Sequence, residues 1–196
     1  ARRVELGPSA ALNAFGLPVR EAVGSGPRGC VAMADGVALA GLRATCAVSG
    51  AELFEAHAAL RDAAARLSPL VVHAALDDGH AGWHASADTG AFLALASDGQ
   101  EAVDLTLLAR WIAEQSLVPG LVGTDGEGIE RLAVPGDALV RAFLGAPGEQ
   151  IPSPTQPQRL LFGGERRRLV RWFDLDHPVA TGALMGAVDL AHAQAG

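Results

Sequence analysis

Histidine and aspartate side chains concentrate in one polar segment of the chain, residues 76–90. Its acidic and histidine candidates for a substrate loop are Asp77, Asp78, His80 and His84. The segment follows an apolar run that is typical of a buried strand, and loops at the carboxyl ends of parallel strands carry the sites of α/β folds. His80 and His84 would share a metal ion only on a helix, and Gly79 and Gly82 argue against a helix. We therefore expect a substrate-facing loop and no metal.

A second segment, Gly24-Ser25-Gly26-Pro27-Arg28-Gly29, has the GxGxxG spacing between a predicted strand and a predicted helix. Such a turn brings backbone close to a phosphate and points a helix N-terminus at it. Pro27 removes one backbone N–H donor, and the following strand ends at Ser49 without the acidic residue of a dinucleotide site. A small nucleotide-binding module and a tight turn without a nucleotide are both open interpretations.

Composition excludes several kinds of chemistry. The chain has 196 residues, and all 15 of its basic residues are arginine. Without lysine, neither a Schiff base nor a complete P-loop can form. The net charge of −7 disfavours nucleic acid as a partner, because phosphate neutralisation needs a basic face. The one basic run, Arg166-Arg167-Arg168, is predicted to lie on a solvated or ion-paired helix face.

Cys30 and Cys46 lie in apolar runs, and the chain has no CxxC motif and no cluster of Cys and His. We expect no zinc, no iron–sulfur cluster and no disulfide framework, and two buried free thiols fit a cytoplasmic protein. No apolar run reaches the roughly 20 residues of a membrane span, and no signal peptide is visible. The first residue, Ala1, leaves open that the chain is trimmed or a fragment.

Strand-like and helical runs alternate along the chain. The predicted strands are Leu17–Val23, Ala44–Ser49, Leu70–Ala75, Ala91–Ala96, Leu121–Thr124 and 129–134. The predicted helices are 28–42, 50–67 with Ser49 as its cap, Gln100–Gln115, 136–144 and 178–196. In the third helix, Val103, Leu107, Leu108, Trp111 and Ile112 are expected to face the core. This order predicts an α/β fold with a doubly wound, mostly parallel sheet. We expect a single domain over 1–196, with a surface segment at 145–163 before a C-terminal extension.

A third polar segment, Asp125-Gly126-Glu127-Gly128, follows the strand that ends at Thr124. It also lies at a carboxyl end. Its composition is that of a turn, and turn chemistry explains it without a function.

The order of several segments resembles the amino-terminal domain of pyruvate:ferredoxin oxidoreductases and related 2-oxoacid oxidoreductases. The segments that carry the resemblance are Asn13–Val19, Gly41–Ser49, Ser68–Ala75, Thr89–Ser97 with Gln100-Glu101-Ala102, Ser116–Pro119 and Asp125-Gly126, and the region from Ile151 onward. The resemblance implies the thiamine-diphosphate-binding fold. It also implies that this domain holds the aminopyrimidine of the cofactor, while a partner domain or subunit holds the diphosphate through magnesium.

Three positions depart from that family. Gly26 stands where the family has the Glu that promotes ylid formation on the pyrimidine, and Gly7 stands where it has a substrate-facing Thr. Leu76 stands where the pyruvate enzymes have an Arg for the 2-oxoacid carboxylate. The nearest acids to the first position are Glu21 and Asp35, and neither replaces the missing group without a shift of the chain.

The resemblance and its departures lead to two hypotheses besides the nucleotide module. In the first, the chain is a divergent alpha-type subunit that is non-catalytic on its own and acts with a diphosphate-binding partner subunit or by self-association. In the second, it is active with Glu21 as an unusual acid. Ser49, Gly24, Ser25 and Gly26 are the candidate cofactor-binding residues. Thiamine diphosphate is expected only with the partner, and no metal or iron–sulfur cluster is expected in this chain.

Overall fold

The computed structural model describes residues 11–12, 18–19, 26–39, 41–125, 132–146, 150–153, 156, 159 and 165–168. The strands in chain order are β1 (Ala11–Leu12), β2 (Pro18–Val19), β3 (Thr45–Ser49), β4 (Val71–Ala75), β5 (Phe92–Ala96), β6 (Gly120–Thr124), β7 (Gln150–Pro152) and β8 (Arg166–Arg168). The helices are α1 (Gly26–Leu39), α2 (Leu53–Ala65), α3 (Ala81–Ala85), α4 (Gly99–Ser116) and α5 (Asp137–Leu144). Residues Ser86–Asp88 form a 3₁₀ turn.

Four parallel strands form the central sheet in the order β3-β4-β6-β5. The connection from β3 to β4 and the connection from β5 to β6 run in opposite directions along this sheet. Because crossovers between parallel strands are right-handed, opposite directions place α2 and α4 on opposite faces. The α/β class and the parallel, doubly wound arrangement predicted from the sequence are therefore confirmed.

The larger core lies between the sheet and the layer of α1 and α2. Val31 and Ala34 of α1 and Leu60 of α2 are buried there against Val72 and Leu121 of the sheet. On the opposite face, Ala109 and Ala113 of α4 pack on Val71 and Val122. Strand β3 is only half-buried, since Thr45 and Ala47 are exposed on the face opposite α1. The apolar run Ala44–Ser49 would suit a strand buried on both faces, and that interpretation is wrong for the face that carries Thr45 and Ala47.

Helix α4 turns a different side to the sheet than its apolar stripe predicts. Its buried apolar residues are Ala109 and Ala113, whereas Leu108 and Trp111 are each 42% exposed. Small side chains let the helix backbone approach the sheet closely, and the larger stripe turns toward α5. There the rings of Trp111 and Phe143 lie 6.5 Å apart. The predicted core positions of Leu108 and Trp111 are therefore wrong.

A buried ionic network ties helices and strands together at the amino edge of the sheet. Arg43 donates to both carboxylate oxygens of Glu114, at 2.7 and 2.9 Å, and to the carbonyl oxygen of Gly145 at 2.9 Å. Arg110 donates to the carbonyl of Pro69 at 2.7 Å and to that of Ala44, the residues just before β4 and β3. Burial lowers the pKa of the Arg110 guanidinium to about 10, and the adjacent Glu114 opposes that shift. These side chains support the fold.

The described parts of the remaining segments give further outcomes. Residues 132–136 have no regular secondary structure, so the strand predicted at 129–134 does not extend over its last residues. The basic run forms strand β8, paired antiparallel with β7, and not a helix face. The predicted helix at 178–196 lies outside the described residues. Among the residues that are described, no helix has the length and apolar character that a bilayer span requires.

His73 on β4 is expected to make stability depend on pH. Burial, with a smaller effect from the Arg110 charge, lowers the pKa of His73 in the folded chain. As the pH falls below the usual histidine range, the unfolded chain takes up a proton that the folded chain resists, so the folded state loses stability. His73→Gln should lose less unfolding free energy than the wild type between about pH 7 and about pH 5. Urea titrations at both pH values measure this, and equal losses would contradict it.

Candidate functional site

The carboxyl edge of the sheet has a switch point between β4 and β6. These two strands are neighbours, but the chain leaves β4 toward α3, which contacts α2, and leaves β6 toward α5, which contacts α4. The connections therefore depart to opposite faces, and a crevice opens between such strands in doubly wound folds. The ends of the two strands stay joined, because the N–H of Leu76 donates to the carbonyl of Thr124 at 2.9 Å. The candidate site lies at this edge.

The segment after β4 is more ordered than the predicted loop. It contains α3 and the 3₁₀ turn, and His80 occupies the N-cap position of α3. Gly82 does not prevent this helix and is required by its packing, since a Cβ there would lie 2.1 Å from the carbonyl oxygen of Gly50. The argument from Gly79 and Gly82 against a helix is therefore wrong. The rings of His80 and His84 lie 6.5 Å apart.

His80 reaches across the switch point to the end of β6. Its Nε2 lies 2.9 Å from Oδ2 of Asp125, and the side chains are 41% and 51% exposed. An imidazole held by a carboxylate has a fixed orientation and can take up or release a proton at its other nitrogen. The pair is an arrangement suited to general acid–base chemistry, and it joins the segments that follow β4 and β6.

Asp78 holds the turns after β3 and β4 together. Its two carboxylate oxygens each accept from the backbone N–H of Ala51 at 3.2 Å. Hydrogen bonding from the Ser49 hydroxyl, followed by that from Ala51, lowers the pKa of the Asp78 carboxyl. Asp78 is thus an exposed carboxylate with a positioning role, and it sits beside the exposed Asp77. Both carboxylates keep this part of the edge negative.

Ser49, a predicted cofactor-binding residue, is engaged in local hydrogen bonds. Its hydroxyl accepts from the N–H of Glu52 at 3.3 Å, and its own N–H donates to Oε2 of Glu52 at 2.7 Å. These reciprocal bonds are those of a capping box. The helix itself begins only at Leu53, with Glu52 at the N-cap position, so the predicted start at residue 50 with Ser49 as the cap is wrong by three residues. Because the hydroxyl also bonds Asp78, Ser49 links the β3 turn to the site.

Gly26 begins α1 with a φ of +60°, in the left-handed region that favours glycine. A Cβ added to Gly26 would lie 3.9 Å from Oε2 of Glu55, a residue in the first turn of α2. The sequence analysis missed Glu55, whose position in a first helical turn signals only a favourable helix-dipole interaction. The predicted residues Glu21, Gly24 and Ser25 lie outside the described residues.

Asp35, the other acid near that position in sequence, has a structural role. It is 2% exposed and ion-paired with Arg66, whose Nε lies 3.0 Å from Oδ2 of Asp35. This pair joins α1 to the end of α2. Within the described ranges, no group of three or more His, Cys, Asp or Glu side chains could hold a metal ion.

Comparisons with known proteins leave the family open. No protein-family model matches the chain, and no curated protein gives a significant match. The resemblance to the 2-oxoacid oxidoreductases therefore rests on the quoted motifs.

Proposed function

We propose that this chain is a divergent alpha-type subunit related to the 2-oxoacid:ferredoxin oxidoreductases, which acts with a diphosphate-binding partner subunit and is non-catalytic on its own. The finer fold that goes with this proposal is the thiamine-diphosphate-binding fold. The proposal rests on one contrast. The segments that carry the resemblance between Gly41 and Asp125 form or flank the four strands of the central sheet. The positions that carry the family's chemistry hold residues without reactive groups.

The resembling segments come together in space. Gly41–Ser49 leads into and forms β3, and Ser68–Ala75 leads into and forms β4. Thr89–Ser97 contains β5, and the motifs Ser116–Pro119 and Asp125-Gly126 flank β6 in the sequence. These four strands are the four neighbours of one parallel sheet. A chance similarity of short motifs does not require this placement, so it supports the proposal.

The described residues do not fit thiamine diphosphate activation by this chain alone. Gly26 offers no carboxylate at the position of the family's glutamate. Leu76 stands at the position of the family's arginine and is a core residue, 1% exposed. The two residues after it, Asp77 and Asp78, are exposed acids that would repel a carboxylate substrate. We derive no catalytic step through the cofactor for this chain.

A partner subunit would supply what the chain lacks. The sequence contains no Gly-Asp-Gly…Asn segment of the kind that holds the diphosphate through magnesium. Thiamine diphosphate would therefore bind only in the complex. The free thiols of Cys30 and Cys46 support a cytoplasmic location for that complex.

Glu55 weakens the alternative of a nucleotide-binding module. A phosphate at the N-terminus of α1 would meet the carboxylate of Glu55, which already lies near Gly26. Two anions at one helix N-terminus repel each other, so the electrostatic advantage of the helix end is lost. The same carboxylate favours the active-subunit hypothesis, because it adds Glu55 to Glu21 as a second candidate for the missing acid.

A titration of the purified chain with thiamine diphosphate and Mg²⁺ tests the proposal. We expect no binding in calorimetry and no 2-oxoacid turnover by the chain alone. A tagged copy expressed in the source cells should purify with a polypeptide that carries a Gly-Asp-Gly…Asn segment, and that complex should bind the cofactor. Micromolar binding and turnover by the chain alone would overturn the proposal.

Two variants in the complex separate the remaining hypotheses. Glu55→Gln and Glu21→Gln should leave 2-oxoacid decarboxylation by the complex unchanged if this chain is non-catalytic. Loss of activity with either variant, in a complex that still assembles, would assign the missing acid to this chain. A thermal-shift screen with NAD, FAD and ATP should give no stabilisation, and a shift that Gly26→Ala abolishes would favour the nucleotide module instead.

A further inference from the structure

The two cysteines of the chain meet at the interface between α1 and β3. Cys30 lies on the inward face of α1, at helical spacing from the buried Ala34 and Ala38. Cys46 alternates with Val48 along β3 and packs against the same core cluster. The two thiols are free and half-buried, and each shifts the pKa of the other, so they lie close together across this interface. Two elements of the fold thus bring together the only sulfur pair that could form a disulfide within this chain, which has 2 cysteines.

The surroundings give the two thiols different roles. The hydrogen bond from Cys46 lowers the pKa of Cys30 to about 7, against the opposing effects of burial and of Glu52, and the backbone at Ala47 adds a smaller lowering. The same pairing, together with burial, raises the pKa of Cys46. Cys30 is also the less buried of the two thiols, so a peroxide reaches it more easily. Because the thiolate is the reactive form of cysteine, we assign Cys30 as the nucleophile and Cys46 as its neighbour.

We propose that Cys30 and Cys46 form a thiol-oxidation site, at which a peroxide converts the pair into a reversible disulfide between α1 and β3. A low-pKa, partly exposed cysteine beside a second cysteine is the arrangement of redox-sensing thiols. In a reducing cytoplasm such disulfides are transient, so both thiols are free at rest. The proposal is independent of the function proposed above.

The reaction needs one equivalent of a peroxide. The Cys30 thiolate attacks one oxygen of hydrogen peroxide, so that an S–O bond forms, the O–O bond breaks, and the departing hydroxide leaves as water after taking a proton. The sulfur of Cys46 then attacks the sulfur of the sulfenic acid, and its proton leaves with the displaced hydroxyl as a second water. Each sulfur is oxidised by one electron and the peroxide is reduced by two. A dithiol reverses the change by thiol–disulfide exchange.

Intact mass after oxidation and alkylation tests the proposal. The reduced full chain is treated with a small excess of hydrogen peroxide, quenched with N-ethylmaleimide and weighed. We expect the oxidised chain to be two hydrogen atoms lighter with no maleimide adduct, and the reduced chain to carry two adducts. Peptide mapping should show Cys30 joined to Cys46, and dithiothreitol should restore both adducts. Two adducts after peroxide, or a disulfide-linked dimer in place of the monomer, would overturn the proposal.

Two single variants check the roles of the thiols. Cys46→Ser should stop at the sulfenic acid, which dimedone labels at Cys30. Cys30→Ser should remain a free thiol at the same peroxide dose, since Cys46 is the protonated partner. Equal peroxide reactivity of the two variants would overturn the assignment of roles. Thermal melting of each reduced variant confirms folding, and if either fails to fold, the mapping of the wild-type disulfide still decides the proposal.

Discussion

Replacing Glu114 with alanine lowers the free energy of unfolding by about 3 kcal/mol, because it leaves buried positive charge without its partner. Glu114 is 1% exposed and accepts both of its strong hydrogen bonds from Arg43. Arg110 lies one helical turn away on α4 and is itself 8% exposed. Removing the carboxylate leaves Arg43 without its ion-pair partner and removes the negative charge that helps keep the buried Arg110 protonated. Urea unfolding of the variant and the wild type at neutral pH measures the loss.

Two further variants separate the buried charge from its surroundings. Asp104→Ala removes an exposed acid from the same helix and should change stability by less than about 0.5 kcal/mol. Glu114→Gln keeps the shape and one acceptor oxygen but removes the charge. Its loss of unfolding free energy should therefore lie between the losses of Asp104→Ala and Glu114→Ala. If Glu114→Ala were no more destabilising than Asp104→Ala, the network would not support the fold.

Local sequence patterns predicted most of the sheet, because its strands are short apolar runs bounded by glycine, proline or capping residues. The predicted Leu70–Ala75 and Ala91–Ala96 each differ from the observed strand by one residue. The orientation of α4 was not predictable in this way. A hydrophobic stripe shows that a helix packs against something apolar, but it does not show which neighbouring element that is. In α4 the large side chains face α5, while alanines face the sheet.

The sequence predicted where the candidate site lies, but not which of its side chains contact each other. Asp77, Asp78, His80 and His84 were placed at the carboxyl edge because they follow a strand. The partner of His80 is Asp125, 45 positions away, and the two meet only because β6 inserts between β4 and β5. Asp125 read as an ordinary turn residue. Strand order depends on packing across the whole sheet, and no local pattern in the chain encodes it.

The thiol pair and Glu55 also make contacts that local sequence patterns could not predict. Cys30 and Cys46 were predicted as two buried free thiols, and nothing in the sequence indicated that the helix and strand carrying them would bring them close enough to shift each other's pKa. The position of the Glu55 carboxylate near Gly26 depends on how the start of α2 packs against the start of α1. The sequence alone does not show this packing.

The two edges of the sheet differ in the kind of polar contacts that they carry. The amino edge is fixed by buried ion pairs, while the carboxyl edge carries exposed side chains in hydrogen bonds with one another and with the backbone.

Gly82→Ala should disturb that carboxyl edge more than any substitution of its charged groups. The new Cβ would lie 2.1 Å from the carbonyl oxygen of Gly50 and 3.1 Å from the Cβ of Leu53, so the backbone of α3 or of the β3 turn must move. Overpacking of this kind costs about 1–3 kcal/mol. Because His80 occupies the N-cap position of α3, a shift of the helix should also separate its imidazole from Asp125.

Gly36→Ala is the matched control, since Gly36 lies in α1 with nothing within 4 Å of an added Cβ. Alanine there should raise the free energy of unfolding by about 0.5–1 kcal/mol, because it reduces the backbone conformational entropy of the unfolded chain and has a higher helix propensity than glycine. Urea unfolding should therefore separate the two variants by roughly 1.5–4 kcal/mol in opposite directions from the wild type. A double-mutant cycle of His80→Ala and Asp125→Asn should show coupling in the Gly36→Ala background and none in the Gly82→Ala background. Equal stability of the two glycine variants, or coupling that survives in Gly82→Ala, would show that α3 does not depend on this close approach to hold His80 at the switch point.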